Sequence, residues 1–219
     1  GPAKAVCEAA LDAGRHVVTA NKALLAEHGT ALAKLAEEKG VAIGYEAAVA
    51  GGIPIIKALR EGLSGNRIDH VSGILNGTCN YILSTMRQTG KAFEDVLTEA
   101  QALGYAEADP SFDVDGIDAA HKLAILTALA FGTRIDFEAV AIEGIRTISP
   151  LDIAYADELG YRIKLLGIAR RTDRGIEQRV HPCMVPRDSA LGTVEGVYNA
   201  VRVVGSAAAD TTYEGRGAG

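Results

Sequence analysis

Residues 16–45, HVVTANKALLAEHGTALAKLAEEKGVAIGY, decide the class of fold. The apolar run at residues 16–19 predicts a short buried strand, and the polar pair Asn21 and Lys22 opens an amphipathic helix that ends at Gly40. A second apolar run predicts another strand directly after that glycine. A strand, a helix and a further strand in this order are typical of parallel α/β sheets.

A helix is also predicted in front of this stretch, because residues 3–13 are apolar at helical spacing and Gly14 can end a helix in a left-handed conformation. Helix, strand, helix, strand is the order found in one half of a doubly wound, Rossmann-like sheet. The sequence has no G-x-G-x-x-G between a strand and a helix and no P-loop pattern. We therefore expect a partial Rossmann-like sheet whose phosphate-binding turn lies upstream of this chain.

The pattern changes after Glu46. A Gly-rich turn at residues 50–52 precedes Pro54, which suits the first position of a helix. The following elements are strands around residues 71–75, 165–169, 176–182 and 197–204, and helices at 81–88, 93–103 and 117–131. We predict a mixed or antiparallel sheet with helices on one face, an α+β layer suited to pairing two subunits. The Gly-rich residues 213–219 predict a turn that starts a return toward the first region.

The composition excludes several classes of protein. The 219 residues are 48% hydrophobic and 23% charged, which is typical of a soluble globular protein. No apolar run approaches the roughly 20 residues that cross a bilayer and no signal peptide opens the chain, so we expect a cytoplasmic protein without a membrane partner. The net charge of −6, without a basic block, argues against nucleic acid as a partner. Three scattered cysteines predict reduced thiols rather than disulfides or a zinc site.

The stretch richest in chemistry is residues 104–122, GYAEADPSFDVDGIDAAHK, which holds five carboxylates within twelve residues. A solvated acidic loop is the plain alternative, since charged residues are mostly exposed. Asp118 and Lys122 stand four residues apart at the start of a predicted helix, so they share one face and can pair. Beside a cleft the carboxylate would fix the ammonium, and a desolvated lysine can transfer protons. Glu107 could then accept hydrogen bonds from a substrate ammonium group, whereas His121 points away and is interpreted as a packing or surface histidine.

Two other stretches carry candidate sites. Residues 17–22, VVTANK, end a strand at the edge where open α/β sheets bind ligands; alternatively, Asn21 only caps the helix and Lys22 is solvated. In the second stretch, Glu46 precedes a Gly-Gly turn whose backbone carbonyls could turn inward. Together with the carboxylate they could ligate a hard monovalent cation, although a plain tight turn is the more frequent outcome.

The run at residues 73–81, GILNGTCNY, is a further candidate wall of the cleft. Its Asn-Gly pair predicts a turn, with Thr78 or Asn80 capping the next helix, and its amides would face the cleft if the preceding strand ends there. Cys79 has no matching His or Asn arrangement, so we interpret it as structural.

Five long runs together resemble homoserine dehydrogenase, the family of enzymes that interconvert aspartate 4-semialdehyde and homoserine with a nicotinamide cofactor. The runs are VVTANKALLA, YEAAVAGGIPII, GILNGTCNYIL, GYAEADPSFDVDGIDAAHK and the closing GRGAG. They follow one another in order, cover almost the whole chain and are far more specific than a single short motif. The resemblance implies an NAD(P)-dependent oxidoreductase acting on a CH–OH group in threonine, methionine and isoleucine biosynthesis.

The resemblance assigns roles to residues of the site. Lys122 corresponds to the acid/base that protonates the carbonyl oxygen when hydride arrives and removes the hydroxyl proton in the reverse direction. Asp118 corresponds to its partner and a substrate contact, and Glu107 to the residue that binds the substrate amino group. Lys22 corresponds to the second active-site lysine, near both cofactor and substrate, and Thr19 lines the nicotinamide pocket.

The resemblance also implies ligands and partners. The cofactor is NADP or NAD, and Gly217 falls where the family's returning loop passes close to it. In members that bind sodium, the ligands correspond to Glu46 and to the backbone of Val49, Gly51 and Ile53. The substrate is a small amino acid, and the protein partner is a second copy of the chain in a homodimer.

The resemblance divides the chain into three parts. Residues 1–45 form the C-terminal part of an NAD(P)-binding domain, residues 46–205 a substrate-binding and dimerisation domain, and residues 206–219 a return segment toward the nucleotide-binding domain. Because the phosphate-binding turn is expected upstream, these residues alone should fold and dimerise but bind cofactor poorly and turn over little. Two alternatives stay open: a non-catalytic dimerisation or regulatory module whose acidic stretch is a solvated or metal-binding surface, and a dehydrogenase for another amino-acid semialdehyde.

Overall fold

The first region pairs two helices with a short parallel sheet. The structure, a computed structural model, describes residues 1–217. Its first four elements are helix α1 (Pro2–Asp12), strand β1 (Val17–Val18), helix α2 (Lys22–Glu38) and strand β2 (Ile43–Gly44). The strands β1 and β2 pair in parallel, with Val17 opposite Ile43. The predicted order helix, strand, helix, strand is confirmed.

Strand β1 differs from the prediction in its burial. Val17 and Ile43 pack against the core between α1 and α2, which includes Leu11, Leu24 and Leu32. Val18 is 89% exposed, because successive side chains of a strand point to opposite faces and α1 and α2 cover the face of Val17. The prediction of a buried strand was wrong for this residue.

The second region begins with irregular turns and continues into a larger sheet. A 3-10 turn at Glu46–Ala48 and a π-helical turn at Ala58–Gly62 flank the short helix α3. Pro54 is the N-cap of α3 rather than its first residue, one position earlier than expected. The elements are α3 (Ile55–Lys57), β3 (Ile68–Ile74), α4 (Gly77–Thr89), α5 (Phe93–Ala102), α6 (Ser111–Val114), α7 (Ile117–Phe131), β4 (Ala141–Ile142), α8 (Pro150–Glu158), β5 (Tyr161–Thr172), β6 (Gly175–Pro186), β7 (Tyr198–Gly205) and β8 (Ala209–Arg216).

These strands form a mixed six-stranded sheet in the order β4-β6-β5-β3-β7-β8. Neighbouring strands are antiparallel except β4 and β6, which are parallel. Helices α4, α7 and α8 cover one face, where Leu83, Leu123 and Ile153 join one core with Leu165 and Val201 of the strands. A partial parallel sheet followed by a mixed sheet with helices on one face is the α/β and α+β fold that the sequence predicted.

The opposite face of the large sheet carries a smaller apolar core. Leu166, Ile168 and Val185 point to this side, and Leu191 and Val194 from the loop between β6 and β7 pack on them. A groove of about 580 Å³ remains along this face. The face is therefore covered by a loop over only part of its area.

Four of the numbered elements were not predicted: α6, β4, α8 and β8. The helix α8 starts with a capping box in which Ser149 and Asp152 bond to each other's backbone N–H groups. Strand β8 runs through Arg216, so the turn predicted from residue 213 onward was wrong up to that point. An edge strand with alternating exposed polar residues lacks the apolar pattern that identifies a buried strand. Ala218 and Gly219, the end of the GRGAG run, lie outside the described residues.

The structure also bears on the cysteines, possible metal ligands and possible membrane-spanning helices of the chain. The three cysteines are free, as their spacing predicted. Within residues 1–217, no group of three or more His, Cys, Asp or Glu side chains is placed to hold a metal ion. In the same range, none of the helices combines the length and the apolar character needed to span a bilayer.

Candidate active site

A cavity of about 420 Å³ lies beside the carboxyl end of β3 and the first turns of α4 and α7. Its wall combines residues from both regions of the chain. The lining residues are Lys22, Asn76, Gly77, Thr78, Gly104, Tyr105, Asp113, Asp118, Lys122, Val197, Asn199, Arg216 and Gly217. The structure thus brings together four residues predicted from the sequence, namely Lys22, Asp118, Lys122 and Gly217.

Asp118 and Lys122 lie one helical turn apart in α7. Gly116, with a φ of +86°, turns the chain into this helix in a conformation that favours glycine. Lys122 Nζ donates hydrogen bonds to Asp118 Oδ2 at 2.8 Å and to the carbonyl oxygen of Leu75 at 2.7 Å. The Lys122 side chain is only 12% exposed, so two acceptors hold its ammonium group in the cavity wall.

Lys22 reaches the same carboxylate from α2. Its Nζ lies 3.1 Å from Asp118 Oδ1, whereas Lys122 pairs with the other oxygen. The Lys22 ammonium also stands 5.5 Å from the centre of the Phe112 ring. Asn21 does cap α2, by accepting the Leu24 N–H at 3.0 Å, but the alternative of a merely solvated Lys22 is wrong. One aspartate therefore joins two lysines from different regions of the chain.

Asn76 connects the two carboxylates of the cavity. Its Nδ2 donates to Asp113 Oδ1 at 2.7 Å and to Asp118 Oδ2 at 2.8 Å. Its Oδ1 accepts the Cys79 N–H at 2.8 Å, which makes Asn76 the N-cap of α4. The residue interpreted from the sequence as part of a plain turn is a buried side chain of the site.

Thr78 and Asn80, which the sequence suggested as caps of α4, have other partners. The Thr78 hydroxyl donates to the Tyr105 carbonyl at 2.8 Å, and Asn80 Nδ2 donates to the Gly196 carbonyl at 2.9 Å. Between them Cys79 is fully buried, and burial raises the pKa of its thiol well above the ordinary value. Cys79 is therefore a structural residue, as predicted.

The pKa values of the two carboxyl groups move in opposite directions. Burial by itself raises the pKa of Asp118, but the charge of Lys122, its hydrogen bond and that of Asn76, and the charge of Lys22 together lower it. Burial raises the pKa of Asp113, and the Asp118 charge adds to this effect while the hydrogen bond from Asn76 opposes it. Asp118 is thus the ionised partner of both lysines, and Asp113 takes up a proton more readily.

Glu107 is not brought into the cavity wall. Its side chain is exposed, and its loop contributes Gly104 and Tyr105 to the lining instead. The Glu107 carbonyl accepts a hydrogen bond from Gln101 Nε2 at 2.9 Å, which holds the backbone of the loop against α5. The expected convergence of Glu107 with the aspartate and lysine of α7 is therefore absent from this arrangement of the loop.

His121 lies on the face of α7 that turns away from the cavity. Its ring packs between Phe112 and Phe137, with centroid distances of 5.4 and 4.3 Å. The residue is 6% exposed, and burial lowers the pKa of its imidazole. It is a packing histidine, one of the two alternatives left by the sequence.

A second cavity of about 420 Å³ adjoins the first and shares with it Lys22, Lys122, Arg216 and Gly217. Its other walls are small residues, namely Ala20, Ala47, Ala48, Ala50, Gly51 and Gly52. A Cβ atom on Gly52 would lie 2.6 Å from the Arg216 carbonyl oxygen, so the approach of β8 requires glycine there. Thr19 precedes this wall but does not line it, and its Oγ1 accepts the Asn21 N–H at 3.1 Å.

The predicted cation ligands surround the turn between β2 and α3. Both carboxylate oxygens of Glu46 accept backbone N–H groups at the start of α3, from Ile56 at 2.9 Å and from Lys57 at 3.0 Å. Ala50, in the middle of the turn, has a φ of +50°, which is uncommon for a residue with a side chain. The carboxylate is therefore fixed in place by the helix that follows.

The carbonyl groups of this turn are only partly used. The Ile53 carbonyl accepts the Ile55 N–H at 2.8 Å. Across residues 1–217, the carbonyl oxygens of Val49 and Gly51 accept no hydrogen bond. One negative charge with two unused carbonyl oxygens nearby is compatible with a hard monovalent cation, whose preferred ligands are oxygen atoms.

Several lining residues were not assigned a role from the sequence, among them Asn76, Asp113, Asn199 and Arg216. Asp113 belongs to the acidic stretch, and Asn76 follows an apolar strand, so both carried a weak signal. Asn199 Nδ2 donates to the Leu75 carbonyl at 3.1 Å, which also accepts from Lys122. Asn199 and Arg216 gave no signal, because only strand pairing far along the chain brings them to the cavity.

Comparison with protein-family models gives two matches. Residues 54–219 match the model described as homoserine dehydrogenase. Residues 2–46 match the model described as the NAD binding domain of homoserine dehydrogenase.

Curated relatives have the same name over the whole chain. A homoserine dehydrogenase of Neisseria gonorrhoeae is 58% identical over 219 residues, which are 100% of this chain and 50% of that protein. A homoserine dehydrogenase of Pseudomonas aeruginosa is 60% identical over 210 residues, which are 96% of this chain and 48% of that protein. The chain therefore spans about half the length of the curated relatives it matches.

Solved structures agree with this similarity. A crystal structure of a homoserine dehydrogenase from Thiobacillus denitrificans has a TM-score of 0.98 and 58% identity, and it covers 100% of this chain and 51% of that chain. A hyperthermophilic archaeal homoserine dehydrogenase in complex with NADPH has a TM-score of 0.87 and 32% identity. The match covers 100% of this chain and 63% of the archaeal chain. The fold of the cavity region is thus shared with proteins of this name.

Proposed function

The chain belongs to the homoserine dehydrogenase family, and we propose that the full-length protein carrying it interconverts L-homoserine and L-aspartate 4-semialdehyde. In the oxidative direction the C4 carbon loses a hydride and the C4 hydroxyl loses a proton. Loss of the two gives the aldehyde directly, so the reaction needs no covalent enzyme intermediate. A bound nicotinamide cofactor would supply the hydride acceptor, and the residues of the protein would position the substrate, take the proton and balance charge.

The observation that carries this proposal is the ammonium group of Lys122 in the cavity wall. An ammonium group has three N–H donors, and two of them are directed at Asp118 and at the Leu75 carbonyl. The third donor is left for the C4 oxygen of the substrate. In reduction Lys122 delivers a proton to that oxygen, and in oxidation it receives the proton back.

The two acidic residues give the substrate its orientation in this proposal. Asp118 holds Lys122 and Lys22 on its two oxygens, and it contacts the substrate from the floor of the cavity. Glu107 binds the substrate ammonium group, which requires the exposed loop at residues 104–110 to move inward. A Glu107→Gln variant should raise the KM for homoserine more than it lowers kcat, and an unchanged KM would remove Glu107 from the site.

The second cavity, between Lys22 and the Gly-Gly turn, is proposed to hold the nicotinamide end of NADP or NAD. Small residues make its walls, and Gly217 lies at its boundary with the first cavity. Thr19, which precedes this wall in the chain, is proposed as a further contact of the nicotinamide. The archaeal relative named as a complex with NADPH supports NADP as a cofactor. Titration of the full-length protein with NADPH and NADH, followed by fluorescence, decides between them.

We further propose a monovalent cation, such as sodium, at Glu46 and the carbonyls of Val49, Gly51 and Ile53. Its part would be to fix the turn that forms one wall of the second cavity. Activity in sodium chloride and in choline chloride at equal ionic strength tests this site. Equal activity in the two salts would argue against it.

The partner, the domain division and the location are also proposals. A homodimer is supported by the partly uncovered face of the large sheet, where Leu166, Ile168 and Val185 line the groove.

Residues 1–45, 46–205 and 206–219 are proposed as the nucleotide-binding part, the substrate and dimerisation part, and the return segment. A cytoplasmic location would suit a biosynthetic enzyme of threonine, methionine and isoleucine. Light scattering of the purified protein and fractionation of cells test the first and last points.

The decisive experiment is a spectrophotometric assay of the full-length protein with homoserine and each oxidised cofactor. Formation of the reduced cofactor that depends on homoserine is expected. Other amino alcohols serve as controls, because a dehydrogenase for another semialdehyde would prefer one of them. Absence of turnover with every substrate would favour the non-catalytic dimerisation or regulatory module.

A further inference from the structure

The Asn76 side chain makes three hydrogen bonds in the cavity wall, a set that no other side chain would reproduce. It follows β3, it is 5% exposed, and its side chain contacts three elements of the fold. Both hydrogens of its Nδ2 are used, at 2.7 Å to Asp113 on α6 and at 2.8 Å to Asp118 on α7. Its Oδ1 accepts the Cys79 N–H at the start of α4.

Two carboxylates in one cavity wall repel each other and lose hydration. Lys122 and Lys22 neutralise the charge of Asp118 directly, at 2.8 and 3.1 Å. Asp113 has no such ion pair within residues 1–217 and depends on neutral donors. The carboxamide of Asn76 supplies one N–H to each carboxylate without adding charge to the site.

The choice of residue follows from this double demand. An aspartate at position 76 could cap α4 equally well, but it would donate no hydrogen bond and would add a third negative charge. A serine could also cap α4, but it has a single hydrogen to donate. Only a residue with two coplanar N–H donors and an adjacent acceptor meets all three contacts at this distance from the backbone.

We infer that Asn76 is a positioning residue of the proposed reaction: it bridges Asp113 and Asp118 and keeps the Asp118 oxygen that it shares with Lys122 in a fixed place. This inference rests on the proposed function. Through Asp118, the bridge fixes the direction in which Lys122 presents its third N–H. The same bridge keeps Asp113 at the cavity surface, at a constant distance from Asp118.

The surroundings of the bridge determine its pH dependence. The charged and titratable groups near it are Lys22 of α2, Cys79 of α4, Asp115 after α6 with its partner Arg146, and Lys122 of α7, whereas His121 lies on the other face of α7, where the Asp118 charge still acts on it. The hydrogen bonds of Asn76 lower the pKa of both carboxyl groups, against the effect of burial. Loss of the bridge should therefore let both groups take up protons at higher pH.

Asn76→Ser and Asn76→Asp in the full-length protein test the bridge. Both variants keep an N-cap acceptor for α4, so they should fold. We expect kcat/KM to fall by about 10- to 100-fold, the range for a catalytic group displaced by about an ångström. The loss should lie mainly in kcat, and the acidic limb of the pH profile should move upward by about one pH unit. Asn76→Asp should show the larger effects, since it adds a charge.

Ser149→Ala serves as the matched control. It removes the capping side chain of α8, outside the cavity wall, and should lower Tm by a few degrees. Its kcat/KM and pH profile should equal those of the wild type. Variants of Asn76 that lose only Tm, with an unchanged pH profile and kcat, would overturn the inference.

A second measurement separates this inference from the proposed function. NMR titration of the Asp113 and Asp118 carboxyl carbons, without substrate, reports the bridge directly. Higher pKa values for both groups in Asn76→Ser support the bridge, and unchanged values overturn it whatever the activity. Absence of turnover in the wild type would overturn the proposed function alone, because the carboxyl titration does not depend on it.

Discussion

Two lysine clusters in this molecule are built from the same parts and differ in one respect. In the cavity, Lys122 bonds to Asp118 and to the Leu75 carbonyl, and Asn76 shares the carboxylate. Beneath the loop between β6 and β7, Lys164 bonds to Asn80 at 3.1 Å and to the Val194 carbonyl, and Glu195 lies 3.6 Å away. Each cluster thus has a lysine, a carboxylate, an asparagine and a backbone carbonyl.

The two clusters differ in whether the lysine has an N–H group that a ligand could reach. The Lys164 side chain is 2% exposed, two acceptors bind its ammonium and the Glu195 carboxylate pairs with it at 3.6 Å, so none of its N–H groups is open to a ligand. Lys122 has two acceptors within residues 1–217 and faces a cavity. Burial lowers the pKa of Lys164, although the charge of Glu195 opposes this effect. The comparison teaches that a saturated buried lysine fastens a loop, whereas one with a donor to spare can do chemistry.

The largest expected effect comes from removing the lysine of the cavity. Lys122→Ala in the full-length protein should lower kcat by about two to four orders of magnitude, the scale of lost general acid/base catalysis. Steady-state kinetics with homoserine measures it, and thermal unfolding controls for loss of the fold. A fall of less than fivefold would mean that another group transfers the proton and that the contrast between the clusters is wrong.

The matching change in the other cluster is Lys164→Met. It removes a buried charge and leaves Asn80 and the Val194 carbonyl without their donor, which should cost about 2–4 kcal/mol of the free energy of unfolding. The kcat should change by less than about tenfold, since the Lys164 ammonium does not line the cavity. Urea unfolding and steady-state kinetics on the same preparation measure both. A stable variant with lost activity would reverse the roles assigned to the two clusters.

The smallest expected effect is a difference in acid sensitivity between the two carboxylates. The pKa of Asp118 lies below its usual 3.8, through Lys122, Asn76 and Lys22 against burial, and that of Glu195 lies below its usual 4.5, through Lys164 and Arg87 against burial. A carboxyl group with a lowered folded-state pKa adds stability above its unfolded pKa, and this stability is lost as the pH falls through the folded value.

Glu195→Gln should therefore flatten the fall in unfolding free energy that starts below about pH 4.5, and Asp118→Asn the fall that starts below about pH 3.8. The effect of Asp118→Asn should be the larger one, because this side chain is 5% exposed and that of Glu195 is 34% exposed. Urea unfolding at a series of pH values between 3 and 7 measures both slopes. Equal slopes in the two variants and the wild type would contradict the ion pairing of both clusters.

The two clusters also differ in how far the sequence predicted them. Asp118 and Lys122 were paired from their spacing of four residues, and α7 has the predicted bounds, because an apolar helix with Gly at both ends is a local pattern. Nothing in the sequence indicated that Lys164 is buried in a cluster. It belongs to a strand whose alternation predicts only that one face is buried, and its acceptors come from residues 80 and 194–195.

Contacts between residues that are distant in sequence also explain the differences between prediction and structure at the cavity. Glu107 was expected to bind the substrate ammonium group from the family resemblance, yet its loop carries the side chain outward and supplies Tyr105 to the cavity wall. Asn76 was interpreted as a turn residue. Locally it does lie at a turn, where it is the N-cap of α4. Its bonds to Asp113 and Asp118 span 37 and 42 residues, and no local pattern encodes such contacts.

The sequence by itself determined the class of fold, the bounds of α1, α2, α5 and α7 to within two residues, and the pairing of Asp118 with Lys122. These follow from periodicity and from side chains within one helical turn, where the geometry of the backbone fixes the distance. Only the tertiary structure decided that Lys22 meets the same carboxylate, that Asn76 bridges two aspartates, and that Lys164 is closed off from any ligand. The physical reason is that hydrogen-bond saturation and burial depend on contacts between distant segments, which form only when the sheet and helices pack.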